Sequence, residues 1–168
     1  MTEDRTPTRD AAREAHLDVL LARLTLHQKV RLLTGADFWS LHPEPAVGLR
    51  TIVVSDGPSG VRGAVWDERD PSLNLPSATA LAASWDPDLA YRYGVAMAHE
   101  ARRKGVDVIL GPTINLHRSP LGGRHFEAYS EDPLLTADIA EAFVRGVQDT
   151  GIGACPKHYV ANDFETDR

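Results

Sequence analysis

A single cysteine, Cys155, in 168 residues excludes an internal disulfide framework and fits a reducing compartment. Basic charge is also short: 18 Lys and Arg face 24 Asp and Glu, for a net charge of −6. Nucleic acid is therefore not expected as a partner, because phosphate binding needs a basic face. No apolar run approaches the roughly 18 residues that a membrane helix requires. Residues 1–10 are polar and charged, with no apolar signal-peptide core behind them. The expectation is a soluble, cytoplasmic protein with no membrane partner. Internal repeats and low-complexity tracts are missing as well. The seven histidines are scattered, with no pair at i, i+4 and no companion cysteines, so no metal site is expected. Gly57–Gly63 has glycines at spacing three but no Gly-Lys-Ser/Thr ending, which removes a phosphate loop. Without a Gly-x-Ser-x-Gly elbow a serine hydrolase is disfavoured too, and no cofactor is expected.

What remains has ordinary globular proportions, 42% hydrophobic and 25% charged, at a length suited to one domain with a sizeable core. Residues 1–9 read as a flexible arm, and residues 10–168 as the domain. Leu17, Leu20, Leu21 and Leu24 recur at helical spacing and predict a helix with one buried face. Thr25 and Gln28 have capping-box spacing and open a second short helix ending near Gly35. Thr51–Ser55 is a β-branched run that predicts a buried strand. Asp86-Pro87 supplies an N-cap and a first-turn proline for a helix that Gly105 ends, with Leu89, Tyr93, Ala96 and Met97 on one face. Val106–Leu110 is the next strand. Asp132-Pro133 opens a further helix, with Leu135, Ile139, Ala142, Phe143 and Val147 inward and Gly151 at its end; Ile152–Pro156 is a third strand.

Strand, helix, strand, helix, strand argues for an α/β fold with a parallel sheet. Unusual polar residues follow each strand: Asp56, then Arg124, then Lys157 and His158. Such a placement suits a β/α barrel, whose active site is built from loops after the strands. Three strands do not close a barrel of about 250 residues, so the sequence reads as the first, incomplete part of a (β/α)8-like barrel. A small self-sufficient α/β domain with an open sheet is the alternative.

Three segments could carry chemistry. In Ser55-Asp56-Gly57-Pro58-Ser59-Gly60, the turn residues hold a strand-end carboxylate that can accept from two neighbouring sugar hydroxyls; an Asx-type turn cap is the other reading. Between Leu110 and Glu127 runs a loop too long for a simple connection. Its Arg118, Arg124 and Glu127, with Glu131 and Asp132, could form a buried ion-pair network, although an arginine taken alone is more often a structural partner. The third segment is Pro156-Lys157-His158-Tyr159, followed by Asn162-Asp163 and Asp167-Arg168. Trp39 and Trp66 could stack on sugar faces, whereas Trp85 sits in an Ala-rich stretch and reads as core. Residue chemistry alone stops at an α/β site for a sugar or another small polar ligand.

At these segments the chain resembles the family 3 glycoside hydrolases, in their β-glucosidase branch. The resemblance is carried by Val54–Pro58, Pro76–Asp86, Gly111–Glu127 continuing into Tyr129-Ser130-Glu131-Asp132-Pro133, and Lys157–Asp163, in the family's order and spacing. It implies a barrel-like N-terminal domain followed by an α/β sandwich, and retaining hydrolysis by two carboxyl groups roughly 5–5.5 Å apart. It also implies that the nucleophile and the acid/base lie beyond Arg168, so that no catalytic residue is expected here and Asp56, Glu127 and Glu165 are not promoted to the role. By motif, Asp56 matches the carboxylate that takes the hydroxyls remote from the cleaved bond. Arg124, Lys157 and His158 match the donors around the ring, and Arg168 a further arginine. The implied partner is a β-glucoside or short oligosaccharide, along with the C-terminal remainder of the enzyme. Tyr159-Val160-Ala161 after Lys-His favours glucosides over N-acetylglucosaminides, with xylosides and arabinosides still open. The alternative from another class is a naturally short, non-catalytic sugar-binding or interaction protein derived from such an enzyme.

Overall fold

A computed structural model of the chain describes residues 11–159 and 162–167; the arm expected at 1–9 and the expected ligand residue Arg168 lie outside the described residues. Two units are distinguished, residues 1–51 and 52–168.

The first unit holds α1 (Ala11–Ala22), α2 (Leu26–Arg31) and a two-residue strand, β1 (Ser40–Leu41). The capping box forms as its spacing predicts: the Gln28 N–H donates to Thr25 Oγ1 (3.3 Å) and the Thr25 N–H to Gln28 Oε1 (2.9 Å). Helix α2 stops at Arg31, short of the expected Gly35, and its last turn is tied down by the buried carboxylate of Glu44. That carboxylate accepts from Gln28 Nε2 (3.0 Å) and Arg31 Nη2 (3.3 Å). The buried face expected of α1 is not found. No α1 residue is buried, and Leu17, Val19 and Leu21 are all exposed, while Leu24, just past the helix, is buried. Leu17, Leu20 and Leu21 do share one face at 3.6 residues per turn, but among the described residues nothing buries that face.

In the second unit β2 (Ile52–Ser55), β3 (Val108–Ile109) and β4 (Gly153–Ala154) run parallel in sequential order. The register pairs Val54 with Val108 and Ser55 with Ile109, then Val108 with Gly153 and Ile109 with Ala154. A short helix, α3 (Ala78–Ala82), precedes α4 (Pro87–Arg103), which joins β2 to β3; α5 (Pro133–Gln148) joins β3 to β4. Strands β3 and β4 are shorter than their apolar runs, because Val106 and Ile152 enter the core just ahead of the paired residues.

Both long helices start where the Asp-Pro pairs predict. Asp86 Oδ1 accepts from the Leu89 N–H (3.0 Å), and Asp132 Oδ1 from the Leu134 N–H (2.8 Å). Their inner faces are shifted slightly from the expected ones. Ala90, Tyr93, Met97, Ala98 and Ala101 are buried on α4, whereas Leu89 is exposed; Ile139, Ala142, Phe143 and Val147 are buried on α5 as expected. The two helices lie close enough that a Cβ on Gly94 would strike the Phe143 carbonyl, and one on Gly146 the Tyr91 carbonyl. Trp85 is not core: it follows α3 at φ 55° and is 70% exposed. The left-handed turn that ends α3 carries its ring outward and leaves Ala78, Leu81 and Ala82 to fill the interior.

Sequential parallel strands, with α4 and α5 packed on each other across one face, give the winding of a (β/α)8-type barrel rather than of a doubly wound sheet. The second unit is thus the first part of such a barrel, an open arc of parallel strands. Among the described residues, no helix is long and apolar enough to cross a membrane.

Candidate functional site

Parallel winding brings the three chemistry-bearing segments to one end of the sheet. Asp56 follows β2 directly, in a turn where Gly57 takes φ 111° and a Cβ would collide with the Gly60 carbonyl. Only glycine fits there. Beyond β3 the chain continues to pair: the Ile114 N–H donates to the Lys157 carbonyl (2.8 Å) and the Lys157 N–H to the Pro112 carbonyl (2.9 Å). This pairing sets Lys157 and His158 beside the Thr113–Asn115 backbone. The Gly111–Pro112 and Lys157–His158 peptide bonds are both cis.

Four of the five expected ligand residues meet here. Lys157 Nζ lies 3.0 Å from Asp56 Oδ1 and 3.5 Å from Glu127 Oε2. Arg124 Nε pairs with Glu127 Oε1 at 2.5 Å, and Arg124 Nη2 lies 3.1 Å from His158 Nε2. The result is a chain of alternating charge, Asp56, Lys157, Glu127, Arg124, ending on an imidazole. Burial grades along it: the Asp56 side chain is 50% exposed, Arg124 31%, Lys157 14% and Glu127 5%. Asp56 thus faces outward, and Glu127 is sealed in.

His158 is gripped from both sides. Its backbone N–H donates to Asn115 Oδ1 (2.8 Å), and its Nδ1 lies 3.2 Å from the same oxygen. An amide oxygen can only accept, so Nδ1 carries the proton in this arrangement and Nε2 accepts from Arg124. Asn162 Nδ2 donates to Glu165 Oε1 (3.0 Å), which lies 3.7 Å from Arg124 Nη1. The void between these groups measures about 10 Å³, room for one water at most. The open side of the network is where Asp56 is half exposed.

Partial burial is the strongest single influence on the Asp56 carboxyl and raises its pKa. The hydrogen bond and charge of Lys157, the Gly57 N–H and the Arg62 charge together outweigh it, leaving the group below its ordinary value and ionised near neutrality. A half-exposed, ionised carboxylate beside an ammonium and a guanidinium offers both acceptors and donors to a polyhydroxylated ligand.

The five-residue ion network expected around the long loop forms only in part. Arg124 and Glu127 pair, but Arg118 turns to Asp163 (3.2 Å), Asp132 caps α5, and Glu131 is exposed. Asp163 also accepts from the Leu116 N–H (2.9 Å), so its role is to pin the two loops together. Thr113 was not singled out by the sequence, yet its buried hydroxyl donates to Glu127 Oε2 (3.1 Å). Its one available signal was a position two residues from Asn115 on an extended run. Trp66 is 79% exposed on a groove with Val65, Leu73 and Lys104, outside the charged chain, while Trp39 belongs to the first unit. Among the described residues, no group of three or more potential metal ligands is found.

Comparison with known proteins adds a family and a set of relatives. Residues 36–168 match the model of the glycosyl hydrolase family 3 N terminal domain. A beta-glucosidase of Rhizobium radiobacter is 48% identical over 155 residues, which cover 90% of this chain and 19% of that protein. Beta-glucosidase B of Emericella nidulans is 44% identical over 92% of this chain and 18% of its own length. Beta-glucosidase 3B from Thermotoga neapolitana, solved in complex with glucose, superposes with a TM-score of 0.82 at 42% identity, over 90% of this chain and 24% of that one. The Kluyveromyces marxianus beta-glucosidase, also in complex with glucose, gives a TM-score of 0.86 at 43% identity, over 90% of this chain and 18% of that one. The chain therefore spans about a fifth of the length of these relatives.

Proposed function

Since this chain belongs to glycosyl hydrolase family 3, within its N-terminal domain, we propose that it forms one wall of the glucose pocket of a retaining β-glucosidase. Support comes from the convergence of Asp56, Lys157, Arg124 and His158, which arrive from three loops and present one outward carboxylate among several donors. Relatives of the same fold carry the name beta-glucosidase, and two of their structures hold glucose.

In this reading Asp56 accepts from hydroxyls remote from the scissile bond, and Lys157 and Arg124 donate around the ring. His158, with its Nδ1 proton given to Asn115 and its Nε2 accepting from Arg124, holds the guanidinium in place beside it. Arg168 joins them as a further donor. These groups orient the sugar, and their binding energy lowers the barrier where contacts tighten in the transition state. The nucleophile and the acid/base belong to the four-fifths of the relatives' length that this chain does not span. The chain by itself is accordingly inactive. The reading includes a reducing, cytoplasmic setting, supported by the lone exposed thiol of Cys155.

Titrating the chain with D-glucose while following backbone amide NMR signals tests the proposal. Shifts centred on Asp56, Arg124, Lys157 and His158 are expected, without hydrolysis of an aryl β-glucoside. Shifts elsewhere only, or none at saturating sugar, would overturn the pocket assignment. Hydrolysis by the chain itself would overturn the placement of the catalytic carboxyls.

A further inference from the structure

We infer that Glu127 is a positioning residue of the sugar site, a buried anion that aims Lys157 and Arg124 at the ligand without touching it. The inference rests on the glucose-pocket reading above and concerns how that pocket is built. Glu127 ends a 3₁₀ turn, His125–Glu127, and its side chain is 5% exposed. Both carboxylate oxygens are engaged: Oε1 by Arg124 Nε (2.5 Å), and Oε2 by Thr113 Oγ1 (3.1 Å) with Lys157 Nζ 3.5 Å away. A ligand on the open side cannot reach it. Its influence passes through the two cations.

The geometry gives each of those cations a defined orientation. Asp56 accepts from the Lys157 ammonium at 3.0 Å and Glu127 lies in ion-pair range at 3.5 Å, and an ammonium has three N–H donors, so donor capacity is left for a sugar oxygen. Holding Arg124 at Nε fixes the guanidinium plane, which in turn sets Nη2 against His158 Nε2 at 3.1 Å. Glu127 also settles what Asp56 does. With a buried anion sharing Lys157, the half-exposed Asp56 carboxylate keeps acceptor capacity for hydroxyls. Without it, Lys157 and Asp56 close on one another as a plain ion pair. The loss therefore falls on hydroxyl selectivity as well as on affinity, which a purely structural ion pair does not produce.

Glucose and its 3-, 4- and 6-deoxy analogues, titrated by NMR against the chain and its Glu127→Gln variant, separate the two roles. The unmodified chain is expected to lose about tenfold in affinity for at least one analogue, because a site built for a hydroxyl penalises its absence. In Glu127→Gln that ratio should fall to about twofold or less, with the amide spectrum still dispersed. A folded Glu127→Gln that keeps the full ratio overturns the inference and leaves the pocket reading intact. Should Glu127→Gln fail to fold, Thr113→Val decides: it removes only the hydroxyl that fixes Oε2, and a ratio equal to that of the unmodified chain overturns the inference. If the unmodified chain shows no glucose-dependent shifts, the pocket reading falls and takes the role of Glu127 with it.

Discussion

On the glucose-pocket reading Asp56 carries two burdens, as ligand acceptor and as half of an ion pair, and they part company under acid. Its pKa is lowered below 3.8 in the folded chain, so its pairing with Lys157 contributes stability in full above that value. The contribution fades as the pH falls below 3.8 towards the folded-state pKa. Asp37, Asp67, Asp70 and Glu100 are lowered too, and add to the same acid limb. The part owed to Asp56 is therefore read as a difference. Asp56→Asn should make the denaturation midpoint less sensitive to pH below about 4 than in the unmodified chain. Parallel acid limbs would mean that the pair adds nothing to folding. In an enzyme completed by the remaining length, Asp56→Ala should cost several kcal/mol in kcat/KM, on the order of 3, because sugar hydroxyls lose their acceptor. An unchanged kcat/KM would remove Asp56 from the site.

Helices α4 and α5 meet at two glycines, and this is where the fold tolerates least. An added methyl at Gly94 runs into the Phe143 carbonyl and crowds the Val147 N–H at 3.1 Å, and neither is a flexible side-chain end. Gly94→Ala should destabilise the chain by about 1–3 kcal/mol through overpacking, despite alanine's better helix propensity. Urea denaturation checks this, and a neutral or stabilising result would show that the helices can separate without cost. At this scale the sequence was legible mostly where chemistry is local, the stop expected at Gly35 being the exception. Caps at Thr25, Asp86 and Asp132 and stops at Gly105 and Gly151 are written in one or two residues, and all five are found. Helix α3 was missed because five residues of Ala, Thr and Leu carry no periodicity that a window could detect. The unburied face of α1 and the exposed Trp85 were misjudged for a common reason: apolar composition does not say which neighbour is at hand to cover it. The site divided along the same line. Asp56, Lys157 and His158 stand at strand ends, which marks them, whereas Thr113 gains its meaning only from the Glu127 that long-range pairing brings beneath it.

Stability is unevenly spread through the molecule. Helices α4 and α5 bury Met97, Ile139, Phe143 and Val147 almost completely, while α1 buries nothing and α2 leaves Leu26 and Val30 exposed. Amide exchange should reflect this, with α4 and α5 protected close to the global limit and α1 exchanging with little protection. Equal protection in α1 would reveal apolar contacts that burial within the chain does not register. The ion pair between Asp56 and Lys157 closes across 101 positions of sequence. At about 5–20 residues per second of synthesis, Asp56 leaves the ribosome on the order of 5–20 s before its partner exists. Helix α4 and its approach to β2 can be complete in that interval, but the pairing of Asp56 with Lys157 cannot. A chain stalled anywhere between the two codons has a partly built core and lacks the Asp56–Lys157 pair, so on the glucose-pocket reading a sugar could stabilise the polypeptide only after translation has passed Lys157.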